Sequence, residues 1–243
     1  MRIKAVLSYR GTNYYGYQKQ VDKVTVQGVI EEKLSQFLNT PTSIYASGRT
    51  DAGVHANMQV FHFDVNKEVD IDRLKYSLNK MLPDDINILS LEVVDDDFHS
   101  RFSLKGKNYI YKIAFKDKSP FENDLVYCCP FPTDIELLKT ALMKFVGKHN
   151  FMGFTSKEED EANFVREITN ISFSTEGDTF VISLTGNGFM RYMVRMIVGT
   201  ALAVAMNKEK LGYIDEHLDS EKERNVVSYK APAMGLYLNK VEY

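Results

Sequence analysis

The alternation of apolar and polar residues predicts one order of strands and helices in the first part of the chain. Strands are predicted over residues 3–9, 43–47, 58–64 and 86–93, and helices over 26–38 and 71–82. In both helices apolar residues recur every three or four positions, and Thr25 is in position to cap the first of them. The predicted order is β-α-β-β-α-β.

The second part of the chain repeats this order. A strand is predicted over 107–115, and a helix follows in which Thr133 and Glu136 form a capping box and Gly147 marks the end. The remaining elements are strands near 167–174 and 178–185, a long apolar helix over 189–206, a short helix within 207–219 and a closing strand over 235–242.

Two consecutive stretches with this order predict an α+β fold of two tandem ferredoxin-like (βαββαβ) units. In each unit the helices would cover one face of an antiparallel sheet. We place the boundary near residue 100, which gives an N-terminal unit over 1–100 and a C-terminal unit over 101–243. The two antiparallel sheets are expected to join around a central active-site cleft.

The composition indicates a globular protein of a reducing compartment. Of the 243 residues, 44% are hydrophobic, which is enough for a substantial core. Cys128 and Cys129 are neighbours, which rarely pair, and the chain has no zinc-ligand spacing. The first residues lack the apolar run of a signal peptide, and the longest apolar stretch, 196–206, is too short to span a bilayer. We therefore expect a cytoplasmic protein with no membrane partner.

The charge distribution allows a nucleic-acid partner without requiring one. The net charge of −3 counts mildly against RNA binding, but RNA needs a local basic surface and not a basic total. Acidic runs lie at 95–97, 158–161 and 221–223. The segments with candidate chemistry carry several cations: Arg49, Arg101, Lys105, Lys107, Arg166, Arg191 and Arg195. One basic face and scattered solvated charge are both compatible with this pattern.

A loop predicted between two strands carries the strongest chemical signal. It reads Ser-Gly-Arg-Thr-Asp-Ala-Gly-Val-His-Ala at residues 47–56, with Arg49 and Asp51 between two glycines. Glycine lets the backbone approach a ligand closely, and a nearby cation favours the ionised form of a carboxylate. The residues alone also allow a surface turn in which Arg49 pairs with Asp51. The loop lacks the glycine density and the lysine of a phosphate-binding P-loop.

The same loop resembles the active-site motif of the TruA family of tRNA pseudouridine synthases. Four further segments resemble that family in the same order, and together the five cover most of the chain. They are the opening motif at 9–18 with 25–27, the Phe-His-Ser-Arg-Phe-Ser motif at 98–103 with the residues up to 111, the stretch 186–199, and Gly-Leu-Tyr-Leu at 235–238. Departures from the family pattern are Tyr17 for tryptophan, Arg10 for aspartate and Met196 for asparagine.

The resemblance implies a role for each of five residues. Asp51 would be the catalytic aspartate, and Arg49 would enter the RNA where the target base is flipped out. Tyr109 would stack on the uracil, Arg195 would pair with Asp51, and Leu236 would line the base pocket. His55 and His99 have no catalytic role in this family, so we assign them to local structure.

The reaction implied by the resemblance is the isomerisation of uridine to pseudouridine at positions 38 to 40 of the tRNA anticodon stem-loop. The enzyme would use no metal and no nucleotide cofactor, and it would act as a homodimer in which one tRNA touches both subunits. Asp51 could attack the sugar or the base, or abstract a proton as a glycal-like intermediate forms. The sequence leaves these routes open.

Two other classes of function compete with this interpretation. One is a catalytically silent RNA-binding protein on the same fold, which would have no use for Asp51 paired with Arg195. The other is an aspartate-dependent hydrolase of a nucleotide or sugar phosphate, which would need a metal cluster or a phosphate loop. The sequence has a motif for neither.

Overall fold

The computed structural model describes residues 1–116, 120–156, 163–218 and 225–243. The acidic runs at 158–161 and 221–223 lie outside these ranges. The chain forms two compact units. The first unit comprises Met1–Lys105 and Tyr237–Tyr243, and the second comprises Gly106–Leu236. Each is a mixture of helices and a mostly antiparallel sheet, as expected for an α+β protein.

The first unit has the predicted order of elements over its N-terminal part. They are β1 (Arg2–Tyr9), α1 (Val26–Leu38), β2 (Tyr45–Ala46), β3 (His55–Asp64), α2 (Ile71–Met81) and β4 (Ile86–Val94). β1 lies between β4 and β3 and is antiparallel to both, while β2 pairs with the other side of β3. Alternate residues of β1 are buried, which is the pattern of a strand with one face on a core.

The two helices of the first unit form because each has a cap and one apolar face. The Thr25 hydroxyl accepts a hydrogen bond from the Gly28 amide at 3.3 Å, as predicted, and Asp70 caps α2 in the same way. Leu34 of α1 and Leu74 of α2 are completely buried. Burial of each such leucine contributes about 1.5–3 kcal/mol relative to exposure.

The second unit contains the remaining elements. They are β5 (Gly106–Ala114), β6 (Tyr127–Cys128), α3 (Ile135–Met143), β7 (Gly147–Asn150), β8 (Val165–Glu176), β9 (Thr179–Gly186), α4 (Met193–Ala205) and α5 (Gly212–His217). Its strands follow the order β5-β9-β8-β7 and are antiparallel, and β6 pairs with β5 in parallel. The short strands β6 and β7 are additions to the predicted set.

The start of α3 differs from the predicted capping box. Asp134 is the cap, and its carboxylate accepts from the Leu137 amide at 3.0 Å, whereas the Thr133 hydroxyl donates to the Phe131 carbonyl. A carboxylate caps a helix at least as well as a hydroxyl and interacts favourably with the helix dipole. Asp134 is therefore the cap in place of Thr133. The helix ends at Met143, and Gly147 begins β7.

The long apolar helix is shorter than predicted at its N-terminal end. The prediction began at Phe189, but α4 begins at Met193 because Tyr192 has a φ of 62°, in the left-handed region. Every residue from Met196 to Ala205 is buried, so this helix is surrounded by protein on all sides. None of the helices in the described ranges is long and apolar enough to cross a membrane.

The closing strand, β10 (Leu236–Glu242), has a partner that the sequence pattern did not indicate. Tyr237 and Leu238 pair in parallel with His55 and Ala56 of β3. Residues 237–243 therefore group with the first unit, whose other segment is Met1–Lys105. Strand pairing depends on backbone hydrogen bonds, which carry no side-chain pattern of their own.

Candidate active site

The Asp51 loop, residues 47–54, connects β2 to β3 in the first unit. Asp51 is half-buried and Arg49 is exposed. The Val54 amide donates to the Asp51 carbonyl at 3.1 Å, which closes a turn around the aspartate. The loop therefore presents a half-buried carboxylate and an exposed cation, and both groups can meet a ligand.

The opening motif holds this loop through Thr50. The hydroxyl groups of Tyr9 and Thr50 lie 2.8 Å apart and form a buried hydrogen bond. On the other side, the Tyr17 amide donates to the Thr50 carbonyl at 3.1 Å. Thr50 is thus fixed by both its side chain and its backbone, directly beside Asp51. Sequence reasoning did not single out Thr50, because its contacts with Tyr9 and Tyr17 join residues that are far apart in the chain.

Gly16 of the opening motif permits the close approach of these two segments. Its φ of +88° is strained for any residue with a side chain. A Cβ atom at this position would lie 2.8 Å from the Thr50 carbonyl oxygen and 3.3 Å from the Ala52 amide nitrogen. The opening motif therefore needs glycine here to pack against the backbone on both sides of Asp51.

The two ends of the loop are also tied down. At the first end, the Ser47 hydroxyl donates to the Gln59 side-chain oxygen at 2.6 Å, and the Gln59 side-chain nitrogen donates to the Gly48 carbonyl at 3.0 Å. At the other end, the buried His55 ring accepts from the Gly11 amide through Nδ1 at 3.0 Å and stacks on Tyr237. These contacts give His55 a structural role and fix the loop in one conformation.

Tyr17, which replaces the usual tryptophan, is buried beneath the loop with 1% of its surface exposed. Its ring lies 6.1 Å from that of Tyr9. Within the described ranges the Tyr17 hydroxyl has no hydrogen-bond partner. Burial raises the pKa of this phenol well above its ordinary value, so the group stays neutral.

The Phe-His-Ser-Arg-Phe-Ser motif forms a second ordered turn in the first unit. His62 Nδ1 accepts from the Ser100 amide at 3.2 Å and lies 2.7 Å from the Ser100 hydroxyl oxygen. The His99 ring lies against Phe102, which is 78% exposed. Burial, the charge of Arg2 and the neighbouring His99 lower the pKa of His62 to about 4.

Tyr109 lies on β5 of the second unit, opposite Leu184 of β9. Its side chain is 7% exposed. The rings of Tyr109 and Phe189 pack edge to face. Their centroids are 5.1 Å apart and the angle between their planes is 78°. This geometry is favourable for aromatic pairs and fixes the orientation of the Tyr109 ring. Phe189 is therefore a positioning contact of Tyr109.

Arg195 and Leu236 are the other candidates in the second unit. Arg195 is half-buried on the first turn of α4, and its Nε donates to the Ala231 carbonyl at 2.8 Å. Leu236 is 4% exposed and follows the 3₁₀ turn at Ala233–Gly235. Asp51 and Arg49 belong to the first unit and these residues to the second, so the pairing of Asp51 with Arg195 stays a prediction.

The described ranges contain no group of three or more histidine, cysteine, aspartate or glutamate side chains arranged to hold a metal ion. The chemistry that the candidate residues offer is that of a carboxylate, two arginines, a phenol ring and an apolar side chain. A carboxylate of this kind can act as a nucleophile or a base, and a ring can stack on a planar ligand.

Comparison with known proteins identifies the family. A family model described as tRNA pseudouridine synthase matches residues 5–103 and 141–243. The tRNA pseudouridine synthase A of Geobacillus sp. (strain WCH70) is 42% identical over 100% of this chain and 98% of the relative. The tRNA pseudouridine synthase A of Streptococcus thermophilus (strain CNRZ 1066) is 37% identical, with coverages of 100% and 99%.

A third relative, the tRNA pseudouridine synthase A of Staphylococcus aureus (strain MRSA252), is 36% identical over 99% of this chain and 91% of its own length. The solved structure of a Cbf5-Nop10-Gar1 complex gives a TM-score of 0.37 at 10% identity, which is too low to support an inference. The structural match covers 82% of this chain and 53% of the matched chain of the complex. On the family model and the full-length relatives, this chain belongs to the tRNA pseudouridine synthase family.

Proposed function

We propose that this protein isomerises uridine to pseudouridine at positions 38 to 40 of the tRNA anticodon stem-loop. The observation that carries the proposal is the fixed Asp51 loop, in which Thr50 is held from two sides by the opening motif. A carboxylate that must meet one atom of a flipped nucleotide needs a rigid support. The family membership and the names of the relatives support the same reaction.

The reaction breaks the N1–C1′ bond of uridine, turns the base and forms a C5–C1′ bond. The proton on C5 leaves to solvent, and N1 gains a proton, so the product is an isomer of the substrate. Asp51 supplies the carboxylate, either as a nucleophile toward the sugar or base or as a base during formation of a glycal-like intermediate.

The other candidate residues would hold the RNA and the base. A base inside a helical stem must be extruded, at a cost of a few kcal/mol. Arg49 is exposed at the rim of the loop and would occupy the space that the base leaves. Tyr109 would stack on the uracil, a contact worth about 1–3 kcal/mol, and Leu236 would line its pocket. Arg195 would pair with Asp51 and keep it ionised.

We also propose a fold for each unit, a cellular compartment and an oligomeric state. The strand order β4-β1-β3-β2 of the first unit supports a ferredoxin-like unit, and the second unit would be its duplicate. We propose an enzyme of the cytoplasm that works as a homodimer, without a metal or nucleotide cofactor, with one tRNA touching both subunits.

The test is tritium release from unmodified tRNA labelled at uridine C5. We expect release by the wild type and none by Asp51→Asn, with tRNA binding unchanged in a filter-binding assay. The matched control is Asp72→Asn, which removes an exposed carboxylate from α2 of the same unit and should leave release intact.

Each other outcome has a clear meaning. If the wild type binds tRNA but releases no tritium, the protein is a silent RNA-binding protein and the proposal is wrong. If Asp51→Asn releases tritium at the wild-type rate, the isomerase assignment stands but Asp51 is not its catalytic residue.

A further inference from the structure

Three cations surround one aromatic ring at the start of α4. The Lys230 Nζ lies 4.3 Å from the centroid of the Tyr192 ring, and the guanidinium carbons of Arg191 and Arg195 lie at 4.9 Å and 5.4 Å. We call these four residues the Tyr192 cluster. A single cation over an aromatic ring is common in proteins, about one per 70–80 residues, but three on one ring concentrate positive charge in a small volume.

The backbone beside Lys230 is held against α4. The Ala231 amide donates to the Arg195 carbonyl at 2.8 Å, and Arg195 Nε donates back to the Ala231 carbonyl. A Cβ atom at Gly199 would lie 2.8 Å from the Lys230 amide nitrogen, so glycine at this helical position allows the approach. Lys230 is exposed, but its backbone is fixed at the start of the helix.

The backbone of Arg191 is fixed as well. Its carbonyl accepts from the Thr155 hydroxyl at 3.1 Å and from the Ser156 amide at 3.4 Å. Its guanidinium donates to the Tyr192 hydroxyl at 3.2 Å. Tyr192 itself has a φ of 62°, which costs about 1–2 kcal/mol for a residue with a side chain and persists only where the surroundings impose it.

Two of the three cations in the cluster have no acidic partner among the described residues. In the described part of the chain, neither Arg191 nor Lys230 forms an ion pair with an acidic side chain. The first turn of α4 contains no acidic residue, and Tyr192 offers the helix no capping side chain. The positive end of the helix dipole adds to the three side-chain charges. A bound anion would reduce the repulsion between these positive charges.

We propose that Arg191 and Lys230 bind a phosphodiester group of the RNA backbone. The guanidinium fork of arginine matches the oxygens of a phosphate, and lysine supplies a compact point charge beside it. RNA carries one such group per nucleotide, so this inference rests on the proposed tRNA substrate and assigns it a contact outside the catalytic residues. Sequence reasoning placed Arg191 among the basic residues but did not find Lys230.

The test measures how tRNA binding depends on salt. Each phosphate contact contributes about 0.7–0.9 to the slope of log K against log salt concentration. We expect Lys230→Gln and Arg191→Gln each to reduce the slope by about that amount and to weaken binding several-fold, with the double variant reducing it by both. Lys230→Arg should keep the wild-type slope because it keeps the charge.

The matched control is Lys139→Gln. Lys139 is a partly exposed cation on α3 of the same unit that pairs with Glu136, and its loss should leave the slope unchanged. A double variant with the wild-type slope overturns the inference, as does a slope change of equal size in the control. If the wild-type protein releases tritium, the proposed function stands after either of these two results. A wild type that neither binds tRNA nor releases tritium overturns both.

Discussion

The hydroxyl groups of Tyr9 and Thr50 form a buried hydrogen bond of 2.8 Å that ties the end of β1 to the Asp51 loop. Nearby, the hydroxyl of Tyr17 is also buried but has no hydrogen-bond partner in the described part of the chain. The two phenols support the same loop and differ in this one respect. Removal of the two hydroxyl groups should therefore affect stability differently.

We expect Tyr9→Phe to lower the free energy of unfolding by about 1–2 kcal/mol, because Thr50 loses its buried partner. Tyr17→Phe should leave stability unchanged or raise it by up to about 1 kcal/mol, because it removes an unsatisfied buried hydroxyl. Urea denaturation followed by circular dichroism measures both values. Equal destabilisation by the two variants would contradict the assignment of the orphaned group.

Substitutions at two glycines distinguish the effect of backbone strain from the effect of steric crowding at the Asp51 loop. Gly16 and Gly177 both have positive φ, but a Cβ at Gly16 would meet the Thr50 carbonyl and one at Gly177 would meet nothing within 4 Å. We expect Gly177→Ala to cost about 1 kcal/mol and to leave activity intact. Gly16→Ala should cost more than about 2 kcal/mol and reduce tritium release at temperatures where the protein is folded.

Gly177→Ala is a suitable control for Gly16→Ala because both positions have a positive φ, which strains a residue with a side chain. If Gly16→Ala matches Gly177→Ala in both stability and activity, then the close packing of the opening motif on the Asp51 loop is not needed. Thermal unfolding and initial rates, measured on the same preparations, distinguish these outcomes.

The buried His62 should make stability depend on pH. Its pKa is lowered to about 4 by burial, by Arg2 and by His99, whereas the unfolded chain has a pKa near 6.5. Between these two values the unfolded state binds a proton that the folded state does not. The contribution of His62 to stability is therefore present above about pH 6.5 and is lost as the pH falls toward 4.

His62→Asn provides the check on this dependence, since its side-chain oxygen can still accept from Ser100. We expect the decrease in unfolding free energy between pH 7 and pH 5 to be smaller in the variant than in the wild type. An NMR titration of the His62 ring in the folded wild type should show no protonation at pH 5.5. A midpoint near 6.5 would contradict the prediction.

The ring of Tyr109 should matter more than its hydroxyl. Tyr109→Phe keeps the edge-to-face contact with Phe189 and keeps a surface for stacking, so we expect kcat/KM for tRNA within about fivefold of the wild type. Tyr109→Leu loses the stacking energy of about 1–3 kcal/mol, which corresponds to a loss of about 5- to 150-fold in kcat/KM. Steady-state tritium release with both variants tests this order.

A comparable loss in the two variants would show that the hydroxyl, and not the ring, carries the role of Tyr109. Phe189→Leu extends the test, because it removes the contact that orients the ring while leaving Tyr109 in place. We expect an intermediate loss in kcat/KM and no change in the salt dependence of tRNA binding.

Helices with strong local signals were predictable from the sequence. The apolar spacing and the Thr25 cap predicted a helix over 26–38, and α1 occupies Val26–Leu38. Where two caps compete within neighbouring residues, the prediction was wrong, as with Thr133 and Asp134 at α3. The candidate residues of the Asp51 loop were found from a motif that lies within ten consecutive residues.

The order of most elements follows from the sequence alone, because hydrophobic periodicity and capping depend on residues that are close together in the chain. The family also follows from the sequence, through motifs at five places along the chain. Three relationships required the folded structure: β10 pairs with β3, Thr50 is held by the opening motif, and Lys230 joins Arg191 at Tyr192. These relationships join residues separated by 33 to 182 positions, and no local pattern specifies contacts over such distances.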